Sequence, residues 1–493
     1  MNYVSTRDNN VSVPSARAIG LGISEDGGLF LPESIPTLTA EEIAALVSMD
    51  YKGRAKLVLS KFLTDFTEDE ISHCVEGAYT GSFDEELPAP IYALDRTVGI
   101  LELWHGPTCA FKDLALQILP YLLTVSAKKI DSGKIVILVA TSGDTGKAAL
   151  EGFKDVENTD IIVFYPSDGV SAMQKLQMDS QEGNNVCVCA IKGNFDDAQS
   201  RVKEIFTDAA MKEKLAAGGY VFSSANSINW GRLVPQIVYY VSTYCDMLSV
   251  GTDLKNGFNV TVPTGNFGNI LAAYYAKQMG VPINKLICAS NENNVLTDFI
   301  NTGVYDRNRA FHTTMSPSMD ILISSNLERM LYMLSDCDDK KVTEWQNALK
   351  ADGRFEVTED VKAKIGEIFY GGCCDDEKTK ATIKETYEKY GYLLDTHTAV
   401  AVAVYNDYRE KSGDTTPAII ASTASPYKFA NSVLEALELD DDGDDFKKLS
   451  VLSKSTGTAI PQPIAALRGK TRRFSEVIDR DDMKKAVCDY LGI

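Results

Sequence analysis

Six short segments rich in β-branched residues, each followed by a small or polar turn and then a helical stretch, constrain the fold of this chain most strongly. Such alternation is typical of parallel sheets with helices packed on their faces. Open parallel sheets bind ligands at the carboxyl ends of their strands. We therefore predict an α/β fold of doubly wound, mostly parallel sheets, with its chemistry in the turns after the strands. The six segments are Lys134–Val139, Ile161–Tyr165, Val186–Ile191, Phe258–Val262, Leu286–Ala289 and Ala418–Ala421.

The 493 residues are too many for one simple core, so we expect several domains. Apolar positions recur at helical spacing between about residues 38 and 80, as in Ala40–Val47. The pattern predicts an N-terminal helical region over residues 1–90 and an α/β core over 91–440. Within the core we place a smaller subdomain at roughly 130–230, and a C-terminal segment follows over 441–493.

Charge and cysteine usage narrow the class of protein. A formal net charge of −20 opposes binding to nucleic acid or anionic membranes, although a small anion can still bind in a locally positive pocket. The acidic run 440–445 is interpreted as a solvated loop. None of the ten cysteines forms a C-x-x-C pair, so we expect no structural metal and a reducing, cytoplasmic setting. No apolar segment is long enough to span a bilayer, and the sequence is compatible with a monomer or a small homo-oligomer.

Three turns after strands carry groups that bind anions. Pro263–Asn269 begins a helix with glycines that let backbone N–H groups converge, which suits a phosphate, although a simple helix cap is the commoner explanation of such a turn taken alone. Thr141–Lys147 offers hydroxyls and backbone donors for a carboxylate or phosphate, but it lacks the first glycine and the final Ser or Thr of a nucleotide-binding loop. Ser422–Phe429 places Lys428 in the first turn of a helix, where the helix dipole disfavours a cation.

Lys112 shows the same unusual placement. It follows Phe111 at the start of a helix, where partial desolvation and the positive dipole end would lower the pKa of its amine. An amine of lowered pKa is suited to Schiff-base formation. Most lysines at helix starts are simply exposed, so an ordinary surface lysine remains the alternative. Together with a phosphate loop, the position of Lys112 makes pyridoxal phosphate a reasonable cofactor.

Several motifs, taken in order, resemble the threonine synthase family. The resemblance extends to about residue 430, with one small departure where Ser425-Pro426 replaces a usual His-Pro. The motifs are Tyr3–Arg7, Asp26–Pro32, His105–Asp113, Ser142–Gly146, Asn226–Arg232, Gly265–Gly268, and Thr423-Ala424 with Lys428-Phe429.

The resemblance implies a fold like that of the tryptophan synthase β-subunit and the conversion of O-phosphohomoserine and water into threonine and phosphate. It implies that Lys112 binds pyridoxal phosphate as a Schiff base and then moves protons at Cα and Cβ. Further expected cofactor-binding residues are Gly265, Asn266, Phe267, Asn269 and Thr423. Expected substrate-binding residues are Thr141, Ser142, Asp144, Thr145, Ser227, Asn229, Arg232 and Lys428, with Arg232 favoured for the substrate phosphate.

Alternatives remain open at this point. Ser227, Asn229 and Arg232 also fit a polar turn followed by a helix start, and His105 and His397 are given no catalytic role. The same fold and cofactor serve dehydratases and phospho-lyases that deaminate their substrate. A catalytically silent ligand-binding relative is the other alternative, which the intact Lys112 and Thr423 disfavour.

Overall fold

The computed structural model describes residues 1–84, 87–141, 143–167, 170, 172–439 and 442–493. Its strands, in chain order, are β1 (Asn2–Ser5), β2 (Asp8–Pro14), β3 (Phe30–Pro32), β4 (Ile91–Ala93), β5 (Val98–Glu102), β6 (Lys134–Ala140), β7 (Thr159–Pro166), β8 (Val186–Lys192), β9 (Tyr220–Ser223), β10 (Phe258–Pro263), β11 (Ile283–Ser290), β12 (Val304–Asp306), β13 (Arg354–Glu356), β14 (Phe369–Cys373), β15 (Ala418–Ser422) and β16 (Val477–Asp479).

The helices run between and around these strands. They are α1 (Ser15–Leu21), α2 (Ala40–Ser48), α3 (Tyr51–Phe62), α4 (Glu68–Tyr79), α5 (Asp113–Leu116), α6 (Leu119–Lys129), α7 (Asp144–Phe153), α8 (Ala172–Asp179), α9 (Phe195–Thr207), α10 (Ala209–Ala217), α11 (Trp230–Ser249), α12 (Gly268–Gln278), α13 (Val295–Thr302), α14 (Leu327–Leu334), α15 (Asp339–Asp352), α16 (Glu359–Ile368), α17 (Asp376–Tyr390), α18 (Thr396–Ser412), α19 (Ala430–Ala436), α20 (Asp445–Thr456), α21 (Gln462–Ala465) and α22 (Met483–Leu491). Short 3₁₀ helices cover Pro317–Met319, Pro426–Phe429 and Arg480–Asp482.

Two large sheets organise the molecule. The larger sheet has the order β14-β11-β10-β15-β5-β4, and all its neighbouring pairs are parallel except β4 with β5. The smaller sheet has the order β16-β8-β7-β6-β9 and is parallel throughout. This arrangement confirms the predicted α/β class with mostly parallel sheets in two subdomains.

All six predicted strand segments form strands, each extended by one or more residues. Their long apolar runs are buried on both faces, as parallel strands covered by helices require. The predicted N-terminal helices are α2, α3 and α4, and capping boxes begin α2 at Thr39 and α4 at Thr67. The region also contains an unpredicted three-stranded antiparallel sheet, β2-β1-β3, before these helices.

The N-terminal region packs directly on the core. The fully buried Trp230 ring of α11 contacts Tyr3 of β1, Phe62 of α3 and Tyr275 of α12, with centroid separations of 5.4, 5.7 and 5.3 Å. The C-terminal part of the chain returns to the smaller sheet, where β16 pairs with β8 and α22 buries Met483 and Val487 in the same core. The smaller subdomain therefore combines residues from 134–223 with residues from 477–491.

Candidate active site

The candidate site lies where strands of both sheets end. The turns after β5, β10 and β15 share one edge of the larger sheet because these strands are parallel. The turn after β6 belongs to the smaller sheet. The predicted lysine, the predicted phosphate loop and the Thr423 turn thus come from the larger subdomain, and Asp144 comes from the smaller one.

The segment before Lys112 is fixed against the turn after β15. Ala110 forms an antiparallel bridge with Ala424, and the Phe111 N–H donates to the Thr423 carbonyl at 2.9 Å. Cys109 has a φ of 56°, an uncommon conformation for a residue with a side chain, and it is completely buried. Backbone strain of this kind clusters at functional sites, where the surrounding contacts enforce it.

The Lys112 amine is nearly enclosed, with 12% of its side chain exposed. Its Nζ lies 5.4 Å from the centre of the Phe111 ring and 3.9 Å from Asp144 Oδ2. Burial lowers the pKa of Lys112 to about 8; Asp144 and Asp113 oppose this shift, whereas Lys428 and Arg232 add to it. The direction agrees with the sequence-based expectation. A fraction of Lys112 is therefore neutral and nucleophilic at physiological pH.

Asp144 joins the two predicted lysines. Lys428 Nζ lies 2.8 Å from Asp144 Oδ1, and both side chains are at least 95% buried. Burial alone would raise the pKa of Asp144, but the ammonium groups of Lys428 and Lys112 lower it well below its usual range. Lys428 Nζ also donates to the Thr108 carbonyl at 2.8 Å. A permanent anion at Asp144 does not suit direct contact of its carboxylate with an anionic group of the substrate, although this residue is among the expected substrate-binding ones.

The predicted phosphate loop begins α12. A Cβ on Gly265 would lie 2.7 Å from the Ser318 carbonyl, so only glycine fits there, and Phe267 occupies the left-handed region with a φ of 62°. The Tyr240 hydroxyl donates to Asn269 Oδ1, whereas the buried Asn269 Nδ2 has no hydrogen-bond partner among the described residues. An unpaired buried donor beside the first N–H groups of a helix suits an anion.

Arg232, the residue favoured for the substrate phosphate, is a buried cation. Arg232 is 3% exposed. Its Nη1 donates to the Ala225 carbonyl at 2.8 Å, and its Nε has no hydrogen-bond partner among the described residues. No carboxylate of the described residues lies within 4.0 Å of the Arg232 guanidinium. Burial lowers the pKa of Arg232 to about 10, which still leaves it charged. A buried cation without a counter-ion is costly, so this position favours an anionic ligand.

Other predicted residues have structural contacts. The Asn229 side chain caps α11: Oδ1 accepts from the Gly231 N–H, and Nδ2 donates to the Ile19 and Ser224 carbonyls, which leaves no group for a substrate. Thr141 Oγ1 accepts from the N–H groups of Gly143 and Gly146. Ser142 lies outside the described residues. The hydroxyl of Thr145 makes no hydrogen bond to the described part of the chain.

Three site residues had no local sequence signal. Gln174, near the start of α8, donates from Nε2 to Asp144 Oδ1 at 3.2 Å. Asn326 Nδ2 donates to the Asn266 carbonyl and to Ser227 Oγ, at 3.0 and 3.2 Å, and so ties the phosphate loop to the Arg232 segment. Tyr240 orients Asn269 from α11. Each lies far along the chain from its partner, and only the fold brings the residues together.

The two histidines near the site hold other groups. His397 Nδ1 lies 3.0 Å from Asp395 Oδ1, and its Nε2 accepts from the Ser318 N–H at 3.1 Å, so both nitrogens are engaged. His105 Nε2 lies 2.8 Å from Glu102 Oε2, and its ring stacks on Trp104. These contacts agree with leaving both histidines without a catalytic role.

Family models match most of the chain. "Threonine synthase N terminus" matches residues 2–79, "Pyridoxal-phosphate dependent enzyme" matches 86–355, and "Threonine synthase, C-terminal" matches 398–487. Threonine synthase from Pseudomonas aeruginosa is 39% identical over 438 residues, which cover 88% of this chain and 90% of that protein. The chain belongs to the threonine synthase family.

Solved structures of this family share the whole architecture. Pyridoxal-phosphate-bound threonine synthase from Brucella melitensis is 37% identical with a TM-score of 0.88, covering 100% of this chain and 98% of that one. The yeast enzyme is 31% identical with a TM-score of 0.89, covering 100% and 99%. Human threonine synthase-like 1 is 42% identical over 435 residues. That match covers 86% of this chain but 58% of the human protein, so this chain spans little more than half of such relatives.

Pyridoxal phosphate is the cofactor of the family, and the described residues fit it. Lys112 supplies a nearly buried amine that makes no hydrogen bond to the described residues. The start of α12 and Asn269 supply unpaired donors for a phosphate. Thr423 supplies a hydroxyl that likewise has no hydrogen-bond partner in the described ranges. Among the described residues no cluster of three or more metal-ligating side chains occurs, and no helix is long and apolar enough to cross a membrane.

Proposed function

We propose that this chain is a threonine synthase that converts O-phospho-L-homoserine and water into L-threonine and phosphate. The reaction is a γ-elimination of phosphate followed by addition of water at Cβ. The single observation that carries the proposal is the buried guanidinium of Arg232, which has no carboxylate partner among the described residues although it lies near enough to Lys112 to help lower the pKa of that amine. Such a site favours a substrate that has an anionic group at some distance from its reacting amine.

Arg232 and Lys428 are proposed to bind the substrate phosphate. A guanidinium can donate two parallel hydrogen bonds to a phosphate, and the Arg232 guanidinium makes a single hydrogen bond to the described residues, from Nη1 to the Ala225 carbonyl. Lys428 is a buried ammonium that pairs with Asp144 Oδ1, whereas Lys112 is nearest to Oδ2 of the same carboxylate. The Ser227 hydroxyl accepts a hydrogen bond from Asn326, which also binds the phosphate loop, and we propose that Ser227 contacts the substrate phosphate too.

The proposed cofactor contacts divide between two turns. Gly265, Asn266, Phe267 and Asn269 would hold the cofactor phosphate through backbone N–H groups and the free Asn269 amide. Thr423 would hydrogen-bond the pyridine nitrogen. When bound, pyridoxal phosphate supplies an electron sink that acidifies the hydrogens of the substrate at Cα.

Lys112 is proposed to hold the cofactor and then to move protons. Once the substrate amine has replaced it, the Lys112 amine is free to accept the proton from Cα and to return protons during phosphate loss and water addition. A pKa near 8 suits both directions of transfer near neutral pH. Asp113 holds the preceding turn in place, since its carboxylate accepts from the Thr108 N–H and hydroxyl at 2.8 and 2.7 Å.

The last part of the proposal concerns the binding partner and the cellular compartment of the protein. We propose a small-molecule substrate as the partner and the cytoplasm as the compartment. All ten cysteines are free thiols, which suits a reducing environment.

Product analysis tests the reaction. The purified protein, supplied with pyridoxal phosphate and O-phosphohomoserine, should release threonine and phosphate in equal amounts. Threonine is measured by chromatography and phosphate by a colorimetric assay. Release of phosphate with 2-oxobutyrate and ammonia instead of threonine would identify a deaminating phospho-lyase, and the proposed function would then be rejected.

Spectroscopy tests the link between cofactor and Lys112. The protein with pyridoxal phosphate should be yellow, and borohydride should abolish the visible band and leave the cofactor attached to the peptide that contains Lys112. Mass spectrometry of the digest locates the attachment. Protein that stays colourless with added cofactor, or attachment to another lysine, contradicts the assignment.

A further inference from the structure

The two ion pairs made by Asp144 connect the two subdomains across the site. Asp144 begins α7, directly after β6 of the smaller sheet. Lys112 follows β5 and Lys428 follows β15, and both strands belong to the larger sheet. One carboxylate of the smaller subdomain therefore contacts two cations of the larger one.

The position of Asp144 is strongly constrained. Gly143 precedes it with a φ of 148°, and a Cβ there would lie 2.4 Å from Gln174 Nε2, so the turn needs glycine. Gln174 also donates to Asp144 Oδ1 at 3.2 Å, and the carboxylate is 5% exposed. Such a buried carboxylate cannot turn to solvent without breaking these contacts.

We propose that Asp144 is a positioning residue, whose carboxylate holds Lys428 in the site and supports the charged form of Lys112 across the gap between the subdomains. This role rests on the proposed function, in which Lys428 binds the substrate phosphate and Lys112 moves protons. Without the carboxylate, two ammonium groups would face each other with nothing between them. Lys428 would then keep its hydrogen bond to the Thr108 carbonyl but lose its carboxylate partner.

The charged groups that face Lys112 give this role a testable sign. Asp144 and Asp113 favour the ammonium form of Lys112, whereas Lys428 and Arg232 disfavour it. An opposite charge within about 4–6 Å shifts a pKa by about 1–3 units, and the Lys112–Asp144 separation of 3.9 Å falls inside that reach. Removing Asp144 should therefore lower the pKa of Lys112, and removing Lys428 should raise it. A role limited to packing would not give shifts of opposite sign.

The pKa of Lys112 can be measured without substrate or cofactor. The full-length chain is freed of cofactor, labelled with an amine-reactive acetylating reagent across a pH series, and digested for mass spectrometry. We expect the labelling inflection of Lys112 to move down by about one pH unit or more in Asp144→Asn. It should move up in Lys428→Met, and in the double variant it should lie below that of Lys428→Met alone.

Controls and contrary outcomes follow from the same data. Asp160→Asn removes a buried carboxylate of the smaller sheet that pairs with Lys134 at 2.7 Å, and it should leave the Lys112 inflection unchanged. An unchanged or raised inflection in Asp144→Asn would overturn the proposal. If that variant is too unstable to label, a double variant that matches Lys428→Met would overturn it equally. A protein that fails to bind pyridoxal phosphate or to form threonine rejects the proposed function and leaves this measurement unaffected.

Discussion

Lys112→Ala is expected to lower the rate of threonine formation by at least about a thousandfold while the protein still binds pyridoxal phosphate. The substitution removes both the cofactor attachment and the proposed proton carrier, and loss of a general base alone typically costs 10²–10⁴-fold. The phosphate loop and Thr423 remain to hold the cofactor non-covalently. Steady-state assays give the rate, and equilibrium dialysis gives cofactor binding.

Proton exchange and chemical rescue separate catalysis from structure. In deuterated solvent, the substrate Cα hydrogen should exchange quickly with the unaltered protein and very slowly with Lys112→Ala. A small primary amine added to the solution should restore part of the activity of Lys112→Ala, but none to Lys112→Arg, in which the larger side chain fills the space. Fast exchange in Lys112→Ala would mean that another base acts. His105 would then be the residue to test, because both ring nitrogens of His397 are engaged.

Arg232→Met is expected to reduce kcat/KM for O-phosphohomoserine by about 30- to 5,000-fold. The range corresponds to about 2–5 kcal/mol, typical of removing one partner of a buried charged contact. Methionine is unbranched and has a similar volume, so the change removes the charge with little loss of packing. Affinity for inorganic phosphate as a competitive inhibitor should fall in parallel, because the same guanidinium binds both.

The controls for Arg232→Met test whether binding of the cofactor phosphate at the start of α12 is unaffected. Cofactor affinity should stay within a factor of a few, because Asn269 and the start of α12 are intact. Arg232→Lys keeps a cation but loses the two-donor geometry, so its loss should be intermediate. A large fall in cofactor affinity with normal kinetics in saturated protein would instead assign Arg232 to the cofactor.

The sequence predicted those parts of the fold that have strong local signals. Long apolar β-branched runs predicted β6, β7, β8, β10, β11 and β15, because such runs are typical of parallel strands buried on both faces. The strand β14 was missed because it contains Gly371 and Gly372, which weaken a strand signal. Their small size is needed in the fold: Cβ atoms there would lie 3.0 Å from the Thr297 carbonyl and 2.7 Å from Val404. Tertiary packing, not local propensity, specifies that strand.

The candidate site likewise contains residues with a local sequence signal and residues that only the tertiary fold brings together. Turns after strands pointed to Lys112 and the phosphate loop, because helix starts and turns bind anions through local geometry, whereas Arg232 was predicted only from the family resemblance. The helix-start alternative for Asn229 agrees with its capping contacts. The sequence did not reveal that Asn229 also binds the Ile19 carbonyl, or that Asp144 is paired with Lys428, since these partners are distant in the chain. Gln174 and Asn326 were missed for the same reason.

The strand β16 has a consequence for synthesis on the ribosome. The smaller sheet cannot gain its outer strand, or the buried contacts of α22, until residues 477–491 have emerged, long after β6 to β9. At about 5–20 residues added per second, the wait is on the order of tens of seconds. During that time the backbone of β8 presents an open edge to other nascent chains and to chaperones. The smaller subdomain, which carries Asp144, would therefore be the last part of the enzyme to mature.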